Sequence, residues 1–354
     1  MIHFLGDISL NDKYIEYRNK GVDPFVNVVN LLKSADLVVG NLECTLEGAN
    51  GENELKKPRL KTNTTTLSYL NEINLGLALL ANNHIYDNLE DGFIKTINFL
   101  KRNEISYIGA GFTTKEAAKP FYYNFENKSL CFLNYVTLDT NPKLPNDSNV
   151  KLNYFTEESL IEISDFSKAN DVTIVCIHWG GKMEGAMYPD KEQPLISKKI
   201  FDAGADIIIG HHSHTLQSYE IIDTKHVYYS LGNFCFSDIY FDGKILELNR
   251  NRTSLSMILS IDFSGDQYSV QYHPIINKDG YIELYNSKYK EIPRRINHEK
   301  IWIYKYPFWS IYYSYEKLIH PIFEYLFSNN RNPLKQILKL NVKSFLNYLR
   351  RFHL

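Results

Sequence analysis

Cysteine is scarce and scattered: Cys44, Cys131, Cys176 and Cys235 are the four in 354 residues, and no two share a paired spacing. That excludes a disulfide framework and a four-cysteine zinc ribbon, and it suits small thiols buried at strand ends. A strong charge of one sign is also lacking, because 39 Lys and Arg stand against 41 Asp and Glu, a formal net charge of -2. Nothing global points to a nucleic-acid partner, and none is expected. No apolar run approaches the ~20 residues of a membrane-spanning helix. Strand-like residues begin at Ile2, which leaves no room for a charged-then-apolar leader. The expected location is therefore cytoplasmic, with reduced thiols. Internal repeats with a period of about 20 to 50 residues are absent as well.

What the chain does hold is a set of apolar runs that end in chemistry. Ile207-Ile208-Ile209 runs into Gly210-His211-His212-Ser213-His214, and Val172 to Ile177 into His178-Trp179-Gly180. Ile2-His3-Phe4-Leu5-Gly6 ends in Asp7, Leu37-Val38-Val39-Gly40 in Asn41-Leu42-Glu43, and Leu75 to Ala81 in Asn82-Asn83-His84. Continuous apolar runs are the mark of parallel strands buried on both faces, and ligands of open α/β sheets gather at strand carboxyl ends. Five ends delivering carboxylates, an amide and imidazoles suit a metal centre. Oxygen and nitrogen donors without thiolates fit Mn, Fe, Zn, Ni or Co rather than calcium. A carboxylate shared by two ions ~3.5 to 4 Å apart would let them polarise a phosphoryl oxygen and make hydroxide from water near neutral pH.

Helical patterns over 24–34, 66–74, 91–103, from Thr156 onward and over 191–203 alternate with these strands, as in an α/β domain built on parallel crossovers. After His214 the pattern changes to strands over 226–231, 254–262 and 268–274, read as antiparallel and as a second sheet beside the first. Loops over 47–65 and 139–153 are rich in Asn, Lys and Pro and lie close in sequence to the site strands. The expected division is a domain over 1–290 and a helical extension over 291–354. Residues 301–354 carry eight Lys and Arg against two Asp and Glu, which leaves the first 300 residues at -8. From Asn332 onward Leu334, Ile337, Leu338, Phe345, Leu349 and Phe352 recur at roughly helical spacing among basic residues. Such a helix either docks on its own domain with its cations in water or lies on an anionic membrane face.

Taken in order, Gly6-Asp7, Asn41-Leu42-Glu43, Asn82-Asn83-His84 with Asp87, His178-Trp179-Gly180, Gly210 to His214 with Gln217, and Ser230-Leu231-Gly232-Asn233-Phe234 resemble the CapA family. Its members are named for poly-γ-glutamate capsule synthesis and have a calcineurin-like metallophosphoesterase fold. The resemblance covers about residues 1 to 280 and implies a four-layer α/β/β/α sandwich with metals at the strand ends. It implies two divalent transition-metal ions: Asp7 and His214 on the first, Asn83, His178 and His212 on the second, and Glu43 bridging. His84 would give a proton to the leaving oxygen, with Asp87 orienting it. Asn41, Lys61, Trp179, His211 and Asn233 would face substrate or brace the ligands. This sequence departs from the wider superfamily at Ser9, where a histidine commonly follows the first aspartate by two positions. It departs again at Leu60-Lys61, where family members often carry Phe-Arg. The function so implied is a metal-dependent hydrolase acting on an anionic or phosphorylated intermediate of capsule or exopolymer synthesis. Two other readings stand beside it. One is a non-catalytic component docking a capsule polymer synthase at the inner membrane face through 301–354, and the other is an amide hydrolase acting on a glutamyl polymer.

Overall fold

The structure, a computed structural model, describes residues 1–141, 144–246, 252–285, 293–305 and 307–320. Its strands used below are β1 (Ile2–Ile8), β2 (Leu37–Leu42), β3 (Leu75–Leu79), β4 (Ser106–Ile108), β5 (Phe121–Phe125), β6 (Lys128–Val136), β7 (Val172–His178), β8 (Ile207–His211), β9 (Tyr219–Ile222), β10 (Lys225–Tyr228), β11 (Asn233–Cys235), β12 (Leu255–Asp262), β13 (Ser269–Lys278) and β14 (Tyr281–Leu284). The helices used below are α1 (Lys13–Asn19), α2 (Val29–Lys33), α3 (Leu89–Arg102), α4 (Glu157–Ala169) and α5 (Glu192–Asp202).

Two mixed sheets form the centre. The first runs β14-β13-β12-β1-β2-β3-β4, with β11 also paired to β1; the second runs β9-β10-β8-β7-β6-β5. Strands β1 to β4 are mutually parallel, as are β6, β7, β8 and β10. Alternation along the strands sorts their side chains into two cores. Phe4, Val39, Leu77 and Leu79 of the first sheet meet Phe132, Ile174, Cys176, Ile207 and Ile209 of the second. Leu5, Ile8, Val38 and Ala78 point the other way, onto Tyr14, Leu32, Phe93, Ile97 and Leu100 of α1, α2 and α3. On the far side α4 and α5 pack together, and α4 lies against β6 and β7. This is the four-layer α/β/β/α sandwich.

The expected helices over 91–103 and 191–203 correspond to α3 and α5, and α4 starts in a capping box formed by Thr156 and Ser159. Two others are shorter than their periodicity suggests. The 24–34 pattern is α-helical over Val29–Lys33 alone, because Asp23 Oδ1 accepts the Phe25 N–H and holds the preceding turn; Phe25 and Val28 are buried all the same. The 66–74 pattern is two single turns, Thr64–Leu67 and Tyr69–Glu72, the first capped by Asn63.

The strands after His214 correct the expectation of a separate antiparallel sheet. β12 joins the first sheet antiparallel to β1, whereas β10 joins the second sheet parallel to β8. The second sheet is instead founded on β5 and β6, whose apolar run over 128–136 ends in no cluster of donors and so carries no motif. One compact unit spans Met1–Arg295 and a second begins at Ile296. Within that second unit, residues 308–320 are helical, with a short 3-10 turn at Trp302–Tyr304. The amphipathic pattern from Asn332 onward lies outside the described residues. No helix among the described residues is long and apolar enough to cross a membrane.

Candidate metal centre

Three strand ends of the first sheet and two of the second deliver the expected ligands to one place. In β7 the inward series Ile174, Cys176 continues to His178, and in β8 the series Ile207, Ile209 continues to His211. β1 needs a correction to its alternation before it can contribute. Its pairing with β2 passes from Phe4 opposite Val39 to Asp7 opposite Asn41, so one extra residue is taken up on β1. That bulge turns the carboxylate of Asp7 to the same face as Asn41. Gly6 sits within it, where a Cβ would come 1.9 Å from the carbonyl oxygen of Gly232.

The loop after β8 is strained. His212 (φ 94°) and His214 (φ 57°) both occupy the left-handed region, at about 1–3 kcal/mol each for a non-glycine residue. They are held there by Asp7 Oδ2, which accepts the His212 backbone N–H at 3.2 Å, and by Asn233 Oδ1, 2.8 Å from His214 Nδ1. Strain kept up in this way is a feature of functional loops.

The ligand atoms of Asp7, Glu43 and His214 lie within 4.8 Å of one another, as do those of Glu43, His178 and His212, and all five residues are buried. Glu43 belongs to both groups. His178 Nε2 is 3.2 Å from Glu43 Oε1 and 3.1 Å from Asn83 Oδ1, and His214 Nδ1 is 3.6 Å from Asp7 Oδ2 and 3.9 Å from Glu43 Oε2. Asn41 Nδ2 donates to Asp7 Oδ1 at 2.8 Å and faces His178 Nδ1 at 3.3 Å. His211 Nδ1 is 3.1 Å from Asp7 Oδ1.

Burial raises the Asp7 carboxyl, but the hydrogen bond from His211 and the charges of His211 and His214 outweigh it and hold the group below its ordinary value. Glu43 goes the other way, pushed well above its ordinary value by burial and by the charge of Asp7. Burial keeps His178 and His212 neutral, His212 lowered to about 4, which is the form that binds a metal. Both oxygens of Glu43, fully buried, lack a hydrogen bond, and so do His212 Nδ1 and Asn233 Nδ2. Buried polar atoms are seldom left so unless something else satisfies them. Nitrogen and oxygen donors, orphaned carboxylate oxygens and neutral imidazoles together fit a divalent metal.

His84 stands at the edge of this cluster, its Nδ1 2.6 Å from Asp87 Oδ2. Burial, and then the charge of Lys56, lower its pKa against the pull of Asp87. Ser9 is buried, and its hydroxyl donates to Asn11 Oδ1 at 2.7 Å.

One expected residue lies elsewhere. Lys61 is half-exposed and pairs with Glu52 at 2.8 Å and Glu47 at 3.9 Å, away from the centre. Trp179 is buried, its indole N–H donating to the Tyr229 carbonyl at 3.0 Å and its ring stacked on Tyr229. It braces the strand end that carries His178. The cation at the site is Lys56, with Nζ 3.5 Å from Asp87 Oδ1. Glu184 also bears on the site through its charge on Glu43, Lys56 and His212. Asn82 is a further addition: its amide donates to the Leu42 carbonyl, and its Oδ1 accepts the His84 backbone N–H, tying β3 to the end of β2. Asn82 belongs to the Asn82-Asn83-His84 motif and is readable from it; Lys56 and Glu184 sit in loops without periodicity and carry no such signal.

Residues 1–238 match the model of the bacterial capsule synthesis protein family, PGA_cap. The chain belongs to this family. It is 29% identical over 247 residues to the PGA biosynthesis protein CapA of Bacillus subtilis, covering 66% of this chain and 62% of that protein. It is 30% identical over 247 residues to the capsule biosynthesis protein CapA of Bacillus anthracis, covering 66% and 58%. This family member thus matches about three-fifths of the length of these relatives. Among solved structures it resembles a hypothetical protein from Thermus thermophilus, with TM-score 0.46 and 12% identity over 77% of this chain and 98% of that one. It also resembles the NAD nucleotidase of Haemophilus influenzae, with TM-score 0.42 and 12% identity over 81% and 53%.

Proposed function

We propose that this family member is a metal-dependent phosphoester hydrolase acting on a phosphorylated or anionic intermediate of capsule or exopolymer synthesis. The observation that carries the reading is Glu43, one buried carboxylate common to two ligand groups, with neither oxygen hydrogen-bonded. Asp7 and His214 would hold one ion, His178, His212 and the amide oxygen of Asn83 a second, and Glu43 both. Bound there, the ions supply Lewis acidity and a water acidic enough to act as nucleophile near neutral pH.

The remaining work falls to the chain's own side chains. Asp87 fixes the His84 ring through Nδ1 and supports its protonated form, which leaves Nε2 to pass a proton to the departing oxygen. Asn41 keeps Asp7 and His178 in register across the two sheets. After manganese reconstitution, elemental analysis should find up to two ions per chain, and a panel of phosphomonoesters, phosphodiesters and γ-glutamyl peptides should show phosphoester turnover. His84→Ala should lower that turnover by about 10²- to 10⁴-fold with metal content unchanged. Undiminished turnover in His84→Ala, or no metal uptake, overturns the reading. Turnover of the peptides alone shifts it to amide hydrolysis.

A further inference from the structure

The loop over 47–63 carries three lysines, and one of them behaves unlike the others. Lys57 reaches Asp242 and Lys61 reaches Glu52, both in the partly exposed manner usual for lysine. Lys56 turns inward. Its Nζ is buried and makes no hydrogen bond, with Asp87 Oδ1 at 3.5 Å as its counter-ion.

The main chain holds it there. Asn53 N–H donates to the Asp87 carbonyl at 2.8 Å and Leu60 N–H to Asp87 Oδ2 at 2.7 Å, so the loop is anchored on Asp87 on either side of Lys56. Arg59 adds a bond from Nη1 to the Lys56 carbonyl at 3.3 Å. Asp87 Oδ2 already receives Leu60 and His84, while Oδ1, like Lys56 Nζ, has no hydrogen bond. The charges of Asp87, Glu43 and Glu184 support this buried ammonium next to the proposed proton donor, yet its N–H donors are not used in a hydrogen bond and are costly to leave so.

We propose that Lys56 receives a peripheral anionic oxygen of the substrate and that the site thereby selects phosphomonoesters over phosphodiesters. This rests on the phosphoesterase reading above and adds the substrate class. In the reaction water adds to phosphorus, the ester P–O bond breaks and the leaving oxygen takes a proton. A monoester brings three non-bridging oxygens and a second negative charge. A diester has one of those oxygens esterified, and its second alkyl or aryl group would face the ammonium and leave it unpaired. A compact point charge with three donors suits a phosphoryl oxygen.

The test uses the manganese-loaded full chain, with inorganic phosphate as the binding probe and p-nitrophenyl phosphate and bis-p-nitrophenyl phosphate as substrates. Lys56→Gln should weaken phosphate binding by about tenfold or more, narrow the preference in kcat/KM for monoester over diester by a similar factor, and leave manganese content unchanged. Lys56→Arg should recover part of both. Phosphate affinity and ester preference unchanged in Lys56→Gln overturns the inference and leaves the hydrolase reading intact. Wild-type protein that takes up manganese yet binds no phosphate and turns over neither ester overturns both.

Discussion

Glu43 shows at the scale of one residue how the site trades stability for binding. Its carboxyl is buried beside Asp7 with no hydrogen bond to either oxygen, so in the metal-free fold its charge is a liability. Glu43→Gln keeps the shape and removes the charge. The metal-free variant should therefore unfold at the same denaturant concentration as wild type or a higher one. It should also lose most of the stabilisation that manganese gives the wild type, about 2.7 kcal/mol at a hundredfold excess over Kd. Denaturation with and without chelator reads both effects, and a variant that is less stable without metal yet still stabilised by manganese would contradict this account. Legibility also varies residue by residue. Asp7, Glu43, Asn83, His178, His212 and His214 stand directly at the ends of apolar runs, where burial on both faces leaves a continuous signal. Lys56 is set by backbone anchors on Asp87, which composition does not encode, and so the sequence points instead to the nearby Lys61 as the site cation.

At the scale of the element, β1 carries both the bulge and a buried histidine. Strict alternation would send Asp7 to the helix-facing side with Leu5; the residue absorbed between Phe4 and Asp7 reverses that. No pattern in a seven-residue strand announces such a bulge, although Gly6 is its trace. Gly6→Ala drives a methyl into the Gly232 carbonyl, so it should destabilise the fold by at least about 1–3 kcal/mol and reduce metal uptake by displacing Asp7. Chemical denaturation paired with metal analysis would show whether the two losses occur together. His3 lies on the same strand, its Nε2 3.0 Å from the Leu31 carbonyl and its Nδ1 2.9 Å from the Ser260 hydroxyl. Burial lowers its pKa from 6.5 despite the hydrogen bond to Leu31. The unfolded chain therefore binds a proton more readily than the fold does. The contribution is fully present above about pH 6.5 and declines as the pH falls through the lower folded value. In chelator, a His3→Gln variant should lose less stability than wild type between about pH 7.5 and pH 5, and an equal loss would show that His3 does not contribute.

For the whole molecule, the division of ligands between sheets matters more than their number. Asp7, Glu43 and Asn83 come from the ends of β1, β2 and β3, whereas His178, His212 and His214 come from the ends of β7 and β8. The two sheets otherwise meet through an apolar core of Phe4, Leu77, Phe132, Ile174 and their neighbours, which has no directional preference at its rim. A metal held from both sides would couple the rim of one sheet to that of the other, and its binding free energy would add to the stability of the whole unit. Manganese should accordingly raise hydrogen-exchange protection in both sets of strand ends at once, over 6–11, 40–46 and 81–88 in the first sheet and 176–184 and 210–216 in the second. His178→Ala removes a ligand from the second sheet alone. It should weaken protection in the first sheet too, because Glu43 then lacks its partner across the gap. Protection confined to one sheet, or a His178→Ala effect confined to β7 and β8, would mean that the ligands act within separate sheets and that the sandwich is held by its apolar core alone.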